Sequence, residues 1–177
     1  MTLCTDTFEI ILCEDKLCEA IENLADRLAP RLSGEWTVIN ILIGATPFTS
    51  DLMKALARRN VHPMLDALWL ESYRDARQSS GRVMVRADIG REVTGRGVLI
   101  LDDVFDTGRT LAFARNHLLA KGAREVITCA LARKPDAPDG QDNVDFHAYD
   151  APARFLVGYG MDDAGKYRGL PYIAALD

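Results

Sequence analysis

The sequence predicts an α/β fold: a central, mostly parallel β-sheet flanked by helices. Three observations carry that expectation. Short apolar runs such as Val38 to Ile43 (VINILI) and Val98 to Leu101 have the pattern of strands covered on both faces. They alternate with stretches of helical period, and a chain of 177 residues is long enough to bury one sizeable core. The composition, 48% hydrophobic and 27% charged, excludes disordered, collagenous and disulfide-framework classes.

Each element follows from its local pattern. Phe8 to Leu12 reads as a short strand, and Leu17, Ile21, Leu24, Ala25 and Leu28 recur at helical spacing from Glu14 until Pro30. After the VINILI strand, Gly44-Ala45-Thr46-Pro47 leads into a helix over Phe48 to Arg59, with Thr46 as the expected N-cap and Pro47 at the first helical position. Leu65 to Leu70 predicts a strand. The polar tract Glu71 to Gly81 predicts a long loop, and Val83 and Val85 alternate with polar neighbours as in a half-exposed strand. Val98 to Leu101, a helix over Thr110 to Lys121 closed by Gly122, and Val126 to Leu131 make a βαβ unit. Phe146 to Asp177, rich in Gly and Tyr, reads as a short strand plus an irregular lobe.

Twenty-one Lys and Arg stand against 26 Asp and Glu, a formal charge of -5 with no basic block. Sequence-independent binding to nucleic acid or to an anionic membrane is therefore not expected. The apolar runs are too short to span a bilayer, and Met1 to Glu14 lacks the basic start of a secretory signal. Cys4, Cys13, Cys18 and Cys129 form no CxxC pair, which suits reduced thiols in a cytoplasmic protein.

Chemistry concentrates in VLILDDVFDTGRTL, Val98 to Leu111. Ligands of open parallel sheets bind beyond the carboxyl ends of strands, where Asp102 and Asp103 are expected and can accept hydrogen bonds from sugar hydroxyls. Asp106-Thr107-Gly108-Arg109-Thr110 then supplies backbone N–H groups at a helix start, a glycine for close approach and two hydroxyls, together a cradle for phosphate. A sugar phosphate fits both halves. Receiver domains carry their acidic pair after the first strand and not a late one, DxDxT phosphatases space their acids two apart, and no Walker loop occurs.

LDDVFDTGRTL resembles the phosphoribosyl-pyrophosphate signature of the type I phosphoribosyltransferases. Arg154 to Leu176 (RFLVGYGMDDAGKYRGLPYIAAL) resembles the purine-binding hood of the hypoxanthine-guanine members, LARKP (Leu131 to Pro135) is similar to the strand bearing their purine-contacting lysine, and Ser72-Tyr73 to the start of their flexible loop. The resemblance implies one domain over 1–177, with a core at about 34–150 and a hood at about 1–12 and 151–177. It implies that Asp102 and Asp103 hold the ribose hydroxyls, that Asp106 is the general base near purine N7, and that Thr107, Gly108, Arg109 and Thr110 bind the 5′-phosphate. It further implies that Lys134 donates to the purine 6-oxo group, that Phe155 stacks on the ring, and that backbone groups of Leu156 read its edge. Gly44, Ala45 and Arg168 would take the pyrophosphate, and Mg2+ would sit at Asp162 and at Asp103.

The activity so implied joins hypoxanthine, and next guanine, to phosphoribosyl pyrophosphate in purine salvage, in a homodimer or homotetramer. A xanthine-preferring enzyme and a non-catalytic sensor of phosphoribosyl pyrophosphate are the rivals. One departure stands out: the family usually has Lys or Arg before the glycine of its pyrophosphate loop, and this chain has Ile43 before Gly44.

Overall fold

The structure, a computed structural model, describes residues 8–72, 83–137 and 143–176. Its elements run β1 (Glu9–Leu12), α1 (Glu14–Leu28), β2 (Trp36–Leu42), α2 (Thr46–Ala57), β3 (Met64–Ser72), β4 (Val83–Ala87), β5 (Gly97–Phe105), α3 (Arg109–Ala120), β6 (Glu125–Arg133), β7 (Phe146–Asp150), β8 (Phe155–Val157) and β9 (Ile173–Leu176). A six-stranded sheet has the order β4-β3-β2-β5-β6-β7, and a three-stranded sheet the order β1-β9-β8. The large sheet is parallel except for β4, which lies antiparallel on β3 at the edge. The small sheet is antiparallel and joins the N-terminal strand to the C-terminal lobe.

Strand alternation explains the continuous apolar runs. Val38, Leu99, Leu101, Ile127, Cys129 and Leu131 face Leu17, Ile21 and Leu24 of α1 and Phe48, Leu52 and Leu56 of α2. Ile39, Ile41, Leu68, Leu70, Val98 and Ile100 face the other way, against Leu111, Ala114 and Leu118 of α3. With both faces covered, both sets of side chains are mostly apolar, so period two fades from the sequence. The hood shares this packing, since Leu156, Tyr159 and Ile173 belong to the same cluster as α1 and α2.

Several boundaries differ from expectation, each for a physical reason. Thr46 is not the N-cap of α2: Ala45 takes that position, and the Thr46 hydroxyl instead accepts a hydrogen bond from Asn40. Asp102 and Asp103 do not lie beyond their strand but inside β5, because pairing with β6 continues to Phe105 opposite Arg133. Glu71 and Ser72 extend β3 through pairing with Met84 and Val83, and the rest of the expected loop, Tyr73 included, lies outside the described residues. The lobe after Phe146 holds three strands where one was expected, because β8 and β9 pair with each other and β9 pairs with β1.

Gly97 opens β5 directly opposite Trp36 of β2, and a Cβ built there would stand 2.5 Å from the indole ring. Rigid sheet backbone on one side and a buried indole on the other leave no room to relax. Gly97→Ala should lower stability by about 1–3 kcal/mol, read from the urea midpoint at unchanged slope. This position lies at the opposite end of β5 from the acidic pair, so the midpoint should move without a change in ligand affinity.

Candidate active site

The site sits where chain direction reverses. From β2 the chain passes through α2 on one face of the sheet to β3, and from the adjacent β5 it passes through α3 on the other face to β6. The two connections part at the carboxyl ends of β2 and β5 and leave a crevice between them, the usual ligand position of open α/β sheets. Pairing of β2 with β5 stops at Asn40 opposite Leu101, although β2 runs on to Leu42 beside β3, so from Asp102 onward β5 pairs with β6 only. At that divergence folds the turn at residues 43–45, after a cis peptide bond between Leu42 and Ile43.

Asp102 is buried, 7% exposed, and Asp103 is half-buried. Each carboxylate accepts from the next backbone N–H: Asp102 Oδ1 from Asp103 at 3.1 Å and Asp103 Oδ1 from Val104 at 2.9 Å. Burial, then repulsion from Asp103, pushes the Asp102 carboxyl well above the ordinary range. Burial pushes Asp103 up as well, against its hydrogen bonds and the positive charge of Arg168. Gly44 closes over this pair so tightly that a Cβ on it would stand 1.9 Å from Asp103 Oδ2. Only glycine fits there, and the turn's backbone lies directly on the carboxylate.

Asp106 follows β5 and Lys134 follows β6, and the parallel register brings them together. Phe105 opposes Arg133, the Lys134 N–H donates to the Phe105 carbonyl at 3.0 Å, and Lys134 Nζ stands 3.5 Å from Asp106 Oδ2. Gly108, at φ 72°, is the N-cap of α3, a left-handed turn that glycine adopts without strain. Thr107 and Arg109 flank it on the exposed surface, with Thr110 half-buried in the first turn. Unpaired N–H groups of that first turn, the helix dipole and two hydroxyls make an anion cradle.

The hood overhangs the crevice. Phe155 is 48% exposed and Leu156 is buried, both on β8, an edge strand whose outer side pairs with no other strand among the described residues. Arg168 donates to the Gly160 carbonyl at 2.5 Å and bridges Asp162 Oδ1 at 2.6 Å, while Asp162 Oδ2 accepts the Gly165 N–H at 2.6 Å. Both oxygens of Asp162 are thus engaged by protein groups. Gly160, at φ 101°, packs on the turn itself, where a Cβ would stand 1.9 Å from the Gly44 carbonyl oxygen. Tyr159 donates its hydroxyl to Asp51 Oδ2 of α2 at 2.5 Å.

The structure therefore brings Gly44 onto Asp103 and Lys134 beside Asp106 at the carboxyl ends of β5 and β6, with Gly160 against Gly44 and Arg168 paired with Asp162 in the hood. Ser72 ends β3. Sequence reading missed Asn40, Thr49, Asp51 and Gly160; the signal available for the first was a lone amide inside an apolar strand. Among the described residues no three His, Cys, Asp or Glu side chains gather as a metal cage. The hard oxygens of Asp102 and Asp103, carrying buried negative charge, nevertheless suit a divalent cation that takes its other ligands from water and a bound phosphate.

An acidic pair inside β5 at the switch point, a glycine-capped start of α3 and a glycine turn packed on the acids define an α/β protein with the chemistry to hold an anionic, hydroxyl-bearing ligand. The family model described as the phosphoribosyl transferase domain matches residues 16–164, and the chain belongs to that family, as a type I phosphoribosyltransferase. It is 35% identical over 162 residues to the hypoxanthine-guanine phosphoribosyltransferase of Mycobacterium tuberculosis, covering 92% of this chain and 79% of that one. It is also 35% identical over 172 residues to the bifunctional protein TilS/HprT of Listeria monocytogenes, covering 97% of this chain. The chain spans about a quarter of that relative's length, 26%. Among solved structures, a hypoxanthine phosphoribosyltransferase from Staphylococcus aureus superposes with TM-score 0.89 at 29% identity, over 98% of this chain and 93% of that one.

The electrostatics of the pair carry a sign that can be tested. A carboxyl raised in the folded state costs nothing below its ordinary pKa of about 3.8 and costs increasing stability as pH climbs through the raised value. Asp102→Asn keeps the shape and removes that charge. The variant should melt about 2–4 °C higher than wild type at pH 8, the shift that ~1 kcal/mol produces in a chain of this size, with the gain gone at pH 4. Equal melting at pH 8 in calorimetry would show that the buried pair carries no electrostatic cost.

Proposed function

We propose that the protein transfers the phosphoribosyl group of phosphoribosyl pyrophosphate to a 6-oxopurine, hypoxanthine first and guanine second, in purine salvage. The observation that carries this reading is the meeting of Lys134 and Asp106, 3.5 Å apart, between the acidic pair and the phosphate cradle. A 6-oxopurine presents an acceptor oxygen and the N7 edge side by side, and an ammonium beside a carboxylate complements that edge.

In this reading the 5′-phosphate sits on the N–H groups and hydroxyls of Thr107 to Thr110, and the ribose hydroxyls donate to Asp102 and Asp103. Phe155 stacks on the purine and unpaired backbone groups near Leu156 read its edge. As purine N9 bonds to C1′, the C1′–oxygen bond breaks and pyrophosphate leaves with the electron pair. Asp106 takes the proton from N7. Positive charge grows on the ribose ring in the transition state, and the carboxylates of Asp102 and Asp103 lie where they oppose it. Arg168 and the backbone at Gly44 and Ala45 receive the diphosphate.

Magnesium, held at Asp103 and, once Arg168 moves to the diphosphate, at Asp162, would neutralise the leaving pyrophosphate. The chain acts as one domain with core at about 34–150 and hood at about 1–12 and 151–177, as a cytoplasmic homodimer or homotetramer that needs neither nucleic acid nor membrane. No helix among the described residues is long and apolar enough to cross a membrane.

Two experiments test the reading. Pure protein with phosphoribosyl pyrophosphate, magnesium and each of hypoxanthine, guanine, xanthine and adenine should turn over the first two. Adenine should be slower by a factor of about 10² or more, because its 6-amino group meets the Lys134 ammonium donor to donor. Adenine as good as hypoxanthine would sink the 6-oxopurine assignment, and no turnover of any base would leave a sensor. Asp106→Asn should lower kcat by about 10²–10⁴ while phosphoribosyl pyrophosphate still binds; an unchanged kcat would remove Asp106 from the proton transfer.

A further inference from the structure

The turn at residues 43–45 has no basic side chain of its own, and Ile43 is an apolar residue standing half exposed. Whatever the turn offers to a diphosphate comes from its backbone N–H groups and from the start of α2, a 12-residue helix. A lysine on a flexible stem can adjust to its anion, whereas backbone donors act only where the chain holds them. The placement of this turn then matters more here than in a site that carries a mobile cation.

Beneath the turn lies a polar clamp that nothing in the core requires. Asn40 is 7% exposed in β2, between Ile39 at 0% and Ile41 at 5%. A buried amide without partners costs several kcal/mol, so its presence in this run asks for a reason. Both ends of the amide are used on one target: Nδ2 donates to Thr46 Oγ1 at 3.2 Å, and Oδ1 accepts from Thr49 Oγ1 at 3.1 Å. The same two residues hold the turn through their backbone, Thr46 N–H donating to the Ile43 carbonyl at 3.2 Å and Thr49 N–H to the Ala45 carbonyl at 2.8 Å. From above, Gly44 rests against Asp103 and Gly160 rests against the Gly44 carbonyl.

We infer that Asn40, acting through Thr46 and Thr49, is a positioning residue that fixes the 43–45 turn for a diphosphate in place of the missing side-chain cation. It touches no substrate. The inference rests on the reading of the crevice as a phosphoribosyl pyrophosphate site, and it assigns to the clamp the affinity for the diphosphate half alone.

The discriminating readout compares two ligands that share everything but that half. Phosphoribosyl pyrophosphate carries the diphosphate; inosine 5′-monophosphate fills the phosphate cradle, the ribose site and the hood without it. Calorimetric titration with magnesium present should give, for Thr46→Val and for Thr49→Val, about five-fold weaker binding of phosphoribosyl pyrophosphate and of inorganic pyrophosphate, the size expected for one lost hydrogen bond. Affinity for inosine monophosphate should stay within about two-fold. Thr49→Ser, which keeps the hydroxyl, should restore the wild-type ratio, and kcat at saturation should hardly change.

Each valine substitution removes one bond and keeps the residue's shape, so either variant decides the matter if the other folds poorly. A clamp that merely stabilises the fold would lower the melting temperature and weaken all ligands alike, and that result, or unchanged pyrophosphate affinity in a folded variant, overturns the inference. Wild-type protein that binds neither phosphoribosyl pyrophosphate nor inosine monophosphate would overturn the underlying reading instead.

Discussion

The site depends on one feature of strand pairing: β5 parts from β2 after Leu101 while both strands run on, β2 beside β3 and β5 beside β6. Up to Leu101 the strand is flanked on both sides and buried in apolar layers, and from Asp102 it has a neighbour on β6 only. That parting lets acidic side chains sit inside a strand, with backbone partners fixed, and still meet the crevice. It also creates the space into which the 43–45 turn folds. Had β2 stayed paired with β5 beyond Asn40, that pairing would have covered Asp102 and Asp103 and left no place for a ligand at the switch point.

Because the acids sit in a strand and not in a solvated turn, their charge is poorly shielded. Burial and mutual repulsion raise Asp102, and the nearest compensation comes from local N–H groups and the more distant guanidinium of Arg168. Such an arrangement stores unfavourable charge in the folded protein, a familiar signature of a site made for something positive or for hydroxyl donors. Gly44 sharpens it, since the absence of a side chain lets the backbone approach the Asp103 carboxylate where any Cβ would collide. The net charge of -5 plays no part in this; the local arrangement of a few groups does.

Much of this was legible in the sequence, and what was not has definite causes. Apolar runs alternating with helical period located β2, β5, β6 and the three helices, because two covered faces leave an unmistakable signal. Asp102 to Thr110 was legible because its residue types are dictated by chemistry at adjacent positions. The end of β5 was not, since pairing with β6 is a long-range fact that carries polar residues into a strand. The cap of α2 was misread for a similar reason: a local rule favours Thr46, but tertiary partnership with Asn40 draws its hydroxyl elsewhere. The strands of the lobe, short and rich in glycine, depend on pairing with β1 from the far end of the chain, which no local period records. Lys134 is an instructive middle case: the two parallel strands set it beside Asp106 once their register is known, and register is invisible in either strand alone.

The hood and the turn share a support, which ties the two halves of the crevice together. Tyr159, at φ 49°, reaches from the lobe to Asp51 on the outer side of α2, and burial and then that carboxylate push its hydroxyl pKa upward, so it stays a donor at any ordinary pH. Asn40 grips the first turn of the same helix from within the sheet. Gly160, one residue from Tyr159, lies on the carbonyl of Gly44. α2 is thus fixed between the sheet and the hood, and any displacement of the lobe that carries Phe155 and Leu156 bears on the turn through contacts too close to slip past one another. The C-terminal segment thus bears on the 43–45 turn through packing at Gly160, a support separate from the Arg168 side chain.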